Sequence, residues 1–289
     1  MKYIYYPGCS LEGTSKEFDI STRAVLGALG AQLEELDDWT CCGASAAEPV
    51  SDLLALALPA RNLALAEKMK NSQDILVPCS ACYLNLKKVE EKSREDITVQ
   101  NRINEVLEPE NLKFRNRTNV RHILDVFVND ITDEHIKSRV KKSLLGISVA
   151  PYYGCQCLRP YPVFDDPERP VSMEPLISAT GAEVFKWDMG GRCCGASNMN
   201  TKPESAIKLV ADILKAAKGA DIIATVCPMC QMNLEAYQGR ASKYLKEELD
   251  ITIMYLPQLI GLSLGLNEKD LGIDLNLAVK KDVIDRIKA

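Results

Sequence analysis

One cysteine pattern occurs twice in this sequence, in the same order in each half of the chain. The pattern is a Tyr-x-Gly-Cys segment, then a Cys-Cys-Gly-Ala-Ser segment, then a Cys-x-x-Cys segment. Its cysteines are Cys9, Cys41, Cys42, Cys79 and Cys82 in the first half, and Cys155, Cys193, Cys194, Cys227 and Cys230 in the second. Because a repeat in this order implies duplication, the chain should fold as two similar modules.

The length agrees with two modules. A chain of 289 residues is long enough for two domains that each bury a core. We expect a first cysteine-rich domain over residues 1–145, which includes a charged helical linker, and a second over residues 146–289. The charged stretch, residues 87–122, has few large apolar side chains, so we expect solvated helices there.

Each module is predicted to have an α/β fold. Short apolar runs that end near a cysteine predict strands at residues 2–6, 75–78, 146–152 and 222–226. Leucine and alanine at helical spacing predict helices at residues 51–70 and 202–218. Alternating strands and helices favour a mostly parallel sheet flanked by helices, with the cysteines at the strand ends, where ligands bind in open α/β sheets.

Composition excludes several classes of protein. The net charge is -5 and the basic residues are not clustered, so we expect no nucleic-acid partner. The sequence shows no secretory signal and no apolar run long enough to span a bilayer directly, so we expect a soluble cytoplasmic protein. Eleven cysteines beside two histidines then indicate thiolate ligation of a metal or redox chemistry rather than disulfides.

Five thiols per module is the informative number. A structural zinc ion takes four tetrahedral ligands, and ordinary 2Fe-2S and 4Fe-4S clusters also use four cysteines. A larger or irregular iron–sulfur cluster would accommodate a fifth thiolate. Three alternatives stay open: zinc in one or both sites, redox-active dithiols at the Cys-x-x-Cys segments, and buried inert cysteines.

The paired Cys-Cys-Gly segments resemble the CCG cysteine-rich domain. Two such domains in a chain of this size, with Tyr-Tyr-Pro-Gly-Cys-Ser near the start, resemble the B subunit of heterodisulfide reductase over nearly the whole length. The resemblance implies two noncubane 4Fe-4S clusters. By resemblance, Cys9, Cys41, Cys42, Cys79 and Cys82 hold one cluster, and Cys155, Cys193, Cys194, Cys227 and Cys230 hold the other.

The same resemblance implies an activity and partners. It implies an oxidoreductase that reduces the mixed disulfide of coenzyme M and coenzyme B, as in methanogens, between the two clusters. Electrons would come from the iron–sulfur (C) and flavin (A) subunits of heterodisulfide reductase, in a larger complex with a hydrogenase or formate dehydrogenase. The alternative is a CCG-domain electron-transfer subunit of a lactate-, glycolate- or quinone-linked oxidoreductase.

A few residues outside the two sets have predicted roles. Arg159, Lys186 and Arg192 lie near the second set in sequence and are candidates for binding anionic groups of a substrate, with ordinary surface charge as the alternative. Cys157 has no counterpart in the first half, so we expect that it is not a ligand. His122 lies in the charged region, where we expect a solvated or capping histidine rather than a ligand.

Overall fold

The computed structural model describes residues 1–69 and 74–288, and these contain two four-stranded parallel sheets. The first sheet has the order β2-β1-β3-β4, with strands β1 (Lys2–Tyr5), β2 (Gln32–Glu35), β3 (Ile75–Val77) and β4 (Val120–His122). The second has the order β6-β5-β7-β8, with strands β5 (Ser148–Tyr152), β6 (Glu183–Val184), β7 (Ile222–Thr225) and β8 (Thr252–Tyr255). The two sheets therefore have the same topology, which confirms the predicted α/β class.

Burial explains which segments form the central strands. Every residue of β3 and β7 is buried, as expected for parallel strands that helices cover on both faces. Strand β2 lies at a sheet edge and is polar and mostly exposed. The strand at residues 2–6 ends one residue earlier than predicted, and the strand at 146–152 begins two residues later.

Seven α-helices surround the first sheet in the described part of the chain. They are α1 (Gly8–Glu12), α2 (Lys16–Ala28), α3 (Asp52–Ala66), α4 (Ser80–Glu95), α5 (Ile97–Leu107), α6 (Ile123–Val126) and α7 (Asp133–Arg139). Ser51 caps α3 by accepting a hydrogen bond from the Leu54 amide at 3.3 Å. Helix α3 is the one predicted over residues 51–70, although Lys70 lies outside the described residues.

The charged stretch at residues 87–122 is only partly as predicted. Helices α4 and α5 do occupy most of it. The prediction of a solvated segment is wrong at both ends, because Lys87 is buried in an ion pair with Glu90 at 3.0 Å, and Val120–His122 forms the fourth strand of the sheet. A three-residue strand is too short to show a periodicity, so the pairing with β3 had no local signal.

The second module repeats the arrangement with α8 (Met173–Ala179), α9 (Pro203–Ala216), α10 (Pro228–Ala236), α11 (Gln238–Leu245), α12 (Leu256–Ser263) and α13 (Lys281–Lys288). Helix α9 is the one predicted over residues 202–218. Among the described helices, none combines the length and the apolar character that crossing a bilayer requires.

The two modules pack on each other through reciprocal aromatic contacts. Phe18, nine residues after Cys9, stacks on Tyr255 at the end of β8, with ring centroids 4.1 Å apart. Phe164, nine residues after Cys155, lies parallel to His122 at the end of β4, with centroids 6.0 Å apart. Each module therefore contacts the last residue of the partner sheet's fourth strand, as in an interface with approximate twofold symmetry.

Helix α12 of the second module packs closely on helix α2 of the first, and a single glycine permits this. A methyl group on Gly261 would lie 3.0 Å from Val25 Cγ2 and would collide with Leu271. We expect Gly261→Ala to destabilise the protein by about 1–3 kcal/mol, as overpacking does, measured by chemical unfolding.

Gly27 on helix α2 provides the matched control. A methyl group there would meet no atom within 4 Å. Gly27→Ala should therefore stabilise the helix by up to about 1 kcal/mol. Equal destabilisation by both substitutions would contradict the proposed close packing of α2 and α12.

Candidate metal centres

The order of the strands creates a crevice at the carboxyl edge of each sheet. In the first sheet, the chain leaves β1 towards β2 on one side and leaves β3 towards β4 on the other. Such a switch in direction is where open α/β sheets bind ligands. Cys9 follows β1 and Cys79 follows β3, and in the second sheet Cys155 follows β5 and Cys227 follows β7. Each crevice is thus flanked by two cysteines.

The five cysteines of the first module lie next to one another. The Cys9 and Cys41 sulfurs are 3.8 Å apart, and the Cys42 and Cys82 sulfurs are 3.4 Å apart. The side chains of Cys41 and Cys42 interact directly, as do those of Cys79 and Cys82. The predicted set is therefore brought together as one group of thiols.

The second module has the same group of thiols. The Cys194 and Cys230 sulfurs are 3.6 Å apart, Cys155 interacts with Cys193, and Cys227 interacts with Cys230. All five cysteines line one small cavity of about 40 Å³. This arrangement of five sulfur donors around a single space is what a metal cluster would need.

Glycine permits the close approach of backbone and sulfur in both modules. Gly8 and Gly154 both have φ of 71°, and a methyl group would lie 2.8 Å from Cys82 Sγ in the first case and 2.9 Å from Cys230 Sγ in the second. Any other residue would be strained and would push the nearby cysteine sulfur away. These two glycines are therefore part of the sites.

The glycine after each cysteine pair forms the irregular turn that the sequence indicated. Gly43 and Gly195 have φ of 74° and 77°, in the left-handed region. Their amides donate to the first cysteine of the pair, to Cys41 Sγ at 3.5 Å and to Cys193 Sγ at 3.3 Å. The turn therefore lets both adjacent thiols take part in the same site.

Two asparagines support the sites and were not singled out from the sequence. Asn85 donates to the Cys42 carbonyl at 3.0 Å, and Asn233 donates to the Cys194 carbonyl at 2.8 Å. Each lies three residues after the last cysteine of its set, so the repeat itself carried the signal. Such supporting hydrogen bonds hold metal ligands in place.

In each module, one buried tyrosine holds the loop in front of the cysteine pair. Tyr6 donates to the Thr40 carbonyl at 2.8 Å, and Tyr152 donates to the Arg192 carbonyl at 2.7 Å. Burial raises the pKa of both phenols, so each remains a hydrogen-bond donor at neutral pH. Tyr152 therefore has a structural role in the core beside the second site.

Thiol–thiol hydrogen bonds create thiolate character in both sites. Hydrogen bonds from Cys41 and Cys82 lower the pKa of Cys42 to about 4. In the second module, Cys155 lowers the pKa of Cys193 to about 6, and Cys230 lowers that of Cys227 to about 7. The thiols that donate these hydrogen bonds, Cys41, Cys82, Cys155 and Cys230, have raised pKa values. The thiolate is the form that binds soft metals, so each site offers at least one such donor to a thiophilic metal group.

The donor set fits a group of several metal atoms better than a single ion, because five thiols exceed the four ligands of tetrahedral zinc. Within residues 1–69 and 74–288, no group of three Cys, His, Asp or Glu side chains is arranged so that it could hold one metal ion.

Both sites open to solvent at equivalent positions. Cys9, Cys41 and Cys193 are exposed and Cys155 is half-buried, whereas the remaining cysteines of the two sets are buried. The first cysteine of each set and the first of each adjacent pair therefore form the accessible edge. A group bound by these cysteines would be open to solvent on that side.

The three predicted substrate-binding residues differ in their surroundings. Arg159 is half-buried and donates to the Pro167 carbonyl at 2.7 Å and to Glu168 at 2.8 Å in its own loop, and also to the Gly191 carbonyl in the loop before Cys193. Arg192 is exposed and lines a cavity of about 420 Å³ beside Trp187, and Lys186 is exposed. Their role in binding an anion stays a prediction.

Two other predicted residues lie at the module interface. Cys157 is fully buried and donates to the Tyr153 carbonyl at 3.3 Å. Its assignment as a non-ligand stays a prediction. The capping role of His122 is confirmed, because its Nδ1 accepts from the Leu124 amide at 3.3 Å at the start of α6, but the expected solvation is wrong because the ring is fully buried.

Comparison with known proteins gives several relatives over nearly the full length. The chain is 36% identical over 280 residues to the 8-methylmenaquinol:fumarate reductase membrane anchor subunit of Wolinella succinogenes, and the match covers 96% of each chain. It is 31% identical to a protein of Archaeoglobus profundus named as similar to the B subunit of heterodisulfide reductase, covering 99% of this chain and 98% of that protein. It is 27% identical to the B subunit of the ferredoxin/F420H2-dependent CoB-CoM heterodisulfide reductase of Methanosarcina acetivorans, covering 95% of this chain and 93% of that protein.

One solved structure has the same fold. A hypothetical protein from Helicobacter pylori superimposes with a TM-score of 0.77 at 17% identity. The match covers 97% of this chain but only 52% of that chain, so this protein spans about half the length of the solved one. At this identity the likeness shows the fold alone.

The family comparison agrees with the repeat in the sequence and with the two sheets. The model of the CCG cysteine-rich domain matches residues 3–87 and again residues 149–235. Each match includes one complete set of five cysteines. The resemblance to the B subunit of heterodisulfide reductase is likewise confirmed by the named relatives. This chain therefore belongs to the family of proteins with the CCG cysteine-rich domain, and it carries that domain twice.

Proposed function

We propose that this chain is an iron–sulfur subunit that carries electrons within a larger oxidoreductase, with a noncubane 4Fe-4S cluster in each module. The observation that carries the proposal is the duplicated group of five thiols, which in the second module all line one cavity. In each module two of the five cysteines form an edge that solvent reaches. The proposed ligands are Cys9, Cys41, Cys42, Cys79 and Cys82 for one cluster, and Cys155, Cys193, Cys194, Cys227 and Cys230 for the other. Such clusters supply one-electron oxidation and reduction when bound.

The protein itself would bind, orient and partly shield the clusters. The buried cysteines and their supporting asparagines hold one side, where exclusion of water and hydrogen bonds to sulfur set a cluster's reduction potential. Electrons would enter and leave at the accessible edge of each site, which is formed by Cys9 and Cys41 in the first module and by Cys155 and Cys193 in the second. A partner subunit would dock near one of these edges.

The reaction we favour is quinone-linked electron transfer. The relative with 36% identity over nearly the whole chain is named for a reductase that uses 8-methylmenaquinol and fumarate, and this supports a similar role here. In this role the chain passes electrons between a quinone-reactive site and a partner subunit that performs the second half-reaction. Contact with a membrane would then be made by a partner or at the membrane surface.

Reduction of a mixed disulfide is the second candidate. It is supported by the relatives at 31% and 27% identity, which are named for heterodisulfide reductase. One disulfide, two electrons and two protons would give two thiols, those of coenzyme M and coenzyme B. The C and A subunits of heterodisulfide reductase would deliver the electrons in a complex with a hydrogenase or formate dehydrogenase, and Arg159, Lys186 or Arg192 would bind the anionic groups of the substrate.

Metal analysis is the first test of the proposal. Protein purified without oxygen should contain about eight irons and a matching amount of acid-labile sulfide per chain, as two clusters of four require. A colourless protein that contains zinc and no iron would overturn the proposal and leave the fold unchanged.

Substitution of a proposed ligand cysteine should lower the iron content, whereas substitution of Cys157 should not. We expect Cys194→Ser to lower the iron content by about half, since it removes a proposed ligand of one of two equal clusters. Cys157→Ser is the matched control in the same module, and it should leave the iron content unchanged. Full iron content in Cys194→Ser would contradict the ligand assignment.

The two candidate reactions can be separated in the complex as purified with its partner subunits. Reduced 2,3-dimethyl-1,4-naphthoquinone, a quinol analogue, should reduce the clusters within the time of catalytic turnover, and this is measured by absorbance. With reduced methyl viologen as donor, the CoB-CoM disulfide should release no thiols. Rapid release of thiols without a response to the quinol would reject the first candidate in favour of the second.

A further inference from the structure

A buried chain of hydrogen bonds joins the two modules between their cysteine sites. His122 Nδ1 accepts from the Leu124 amide at 3.3 Å, which leaves the ring proton on Nε2. Nε2 lies 3.2 Å from Ser80 Oγ and donates to it. The Ser80 hydroxyl in turn donates to the Val226 carbonyl of the second module at 3.1 Å. The Ser80 side chain also interacts with the side chains of Cys157 and Cys227.

The ends of this chain lie directly beside proposed ligands. Ser80 follows Cys79 of the first set, and Val226 precedes Cys227 of the second. Each of these side chains is at most 4% exposed. A shift of either strand end at this contact would move a ligand cysteine, since only one peptide bond separates them.

The histidine is fixed by packing as well as by hydrogen bonds. Its ring lies between Tyr83, in an edge contact with centroids 5.2 Å apart, and Phe164 of the second module. Burial lowers its pKa to about 3, so the ring is neutral at physiological pH. The Nε2 hydrogen of the neutral His122 ring is therefore available to Ser80 near neutral pH.

The arrangement exists on one side of the interface only. In the second repeat, Pro228 takes the place of Ser80, and Tyr255 takes the place of His122 at the end of the fourth strand. Proline has no hydroxyl group, so the counterpart of the Ser80–Val226 bond cannot form. The two repeated sites are thus held differently, because the position of the Cys227 end of β7 depends on Ser80 of the first module.

We propose that Ser80 and His122 are positioning residues that couple the two metal centres by holding the Cys227 end of β7 against the Cys79 end of β3. This inference rests on the proposed function, because it assumes a cluster in each module. It implies that a substitution in the first module changes the cluster of the second. The sites are then one coupled unit rather than two independent centres.

Ser80→Ala tests the coupling by spectroscopy. The signal of the second cluster is defined as the part of the electron paramagnetic resonance spectrum that Cys194→Ser removes. We expect Ser80→Ala to shift the g-values and the midpoint potential of this signal while the iron content stays at the level of the unsubstituted protein. Ser80→Thr keeps the hydroxyl and should restore the original signal.

Ser93→Ala is the matched control. Ser93 lies on the same helix as Ser80, is also buried, and its hydroxyl has no hydrogen-bond partner among the described residues. It should leave both signals unchanged. If Ser80→Ala does not fold, His122→Asn serves instead, because the asparagine oxygen can still cap α6 while its shorter side chain holds the amide donor away from Ser80.

The outcomes separate this inference from the proposed function. Absence of iron in the unsubstituted protein would overturn both. Iron in both sites, with a second-cluster signal that is the same in Ser80→Ala, His122→Asn and Ser93→Ala, would overturn the coupling alone. A change in the second signal that Ser80→Thr reverses would support it.

Discussion

The structure depends on the approach of five sulfur atoms to one another at the carboxyl edge of a parallel sheet. This approach requires backbone without side chains at defined points, and Gly8 and Gly154 provide it against the sulfurs of Cys82 and Cys230. The turn at Gly43 and Gly195 then brings two adjacent cysteines into the same site. The rest of each module positions these few residues: the parallel strands set where the cysteines start, and the helices cover the sheet.

Duplication has a structural consequence beyond doubling the sites. Each module covers the end of the other's fourth strand with an aromatic ring, Phe18 on Tyr255 and Phe164 beside His122. The modules are therefore not independent units on a linker, because each completes the core of the other. This places the ends of β3 and β7 in direct contact through Ser80. The two groups of cysteines are therefore held at a defined separation.

The named relatives and the geometry of the sites together limit the number of candidate reactions. All proposed ligands are thiols, and in each module at least one of them has a lowered pKa, which favours a soft metal group. The accessible edge of each site consists of cysteines, so under the proposed function a reaction partner would approach the cluster at its cysteine ligands. Electron transfer is common to both candidate reactions, and they differ in the molecule that receives or donates the electrons.

The repeat, the two sets of cysteines, the four strands that end shortly before a cysteine and the α/β class could all be predicted from the sequence. These are local features, since a short apolar run followed by Gly-Cys or Cys-x-x-Cys is visible within a few residues. Asn85 and Asn233 were within reach of the same reasoning, because they recur at one spacing. Three features could be known only from the three-dimensional structure: Val120–His122 is a strand, His122 is buried, and Ser80 contacts Val226. These features arise from contacts between residues far apart in the chain, and such contacts leave no periodicity in the sequence.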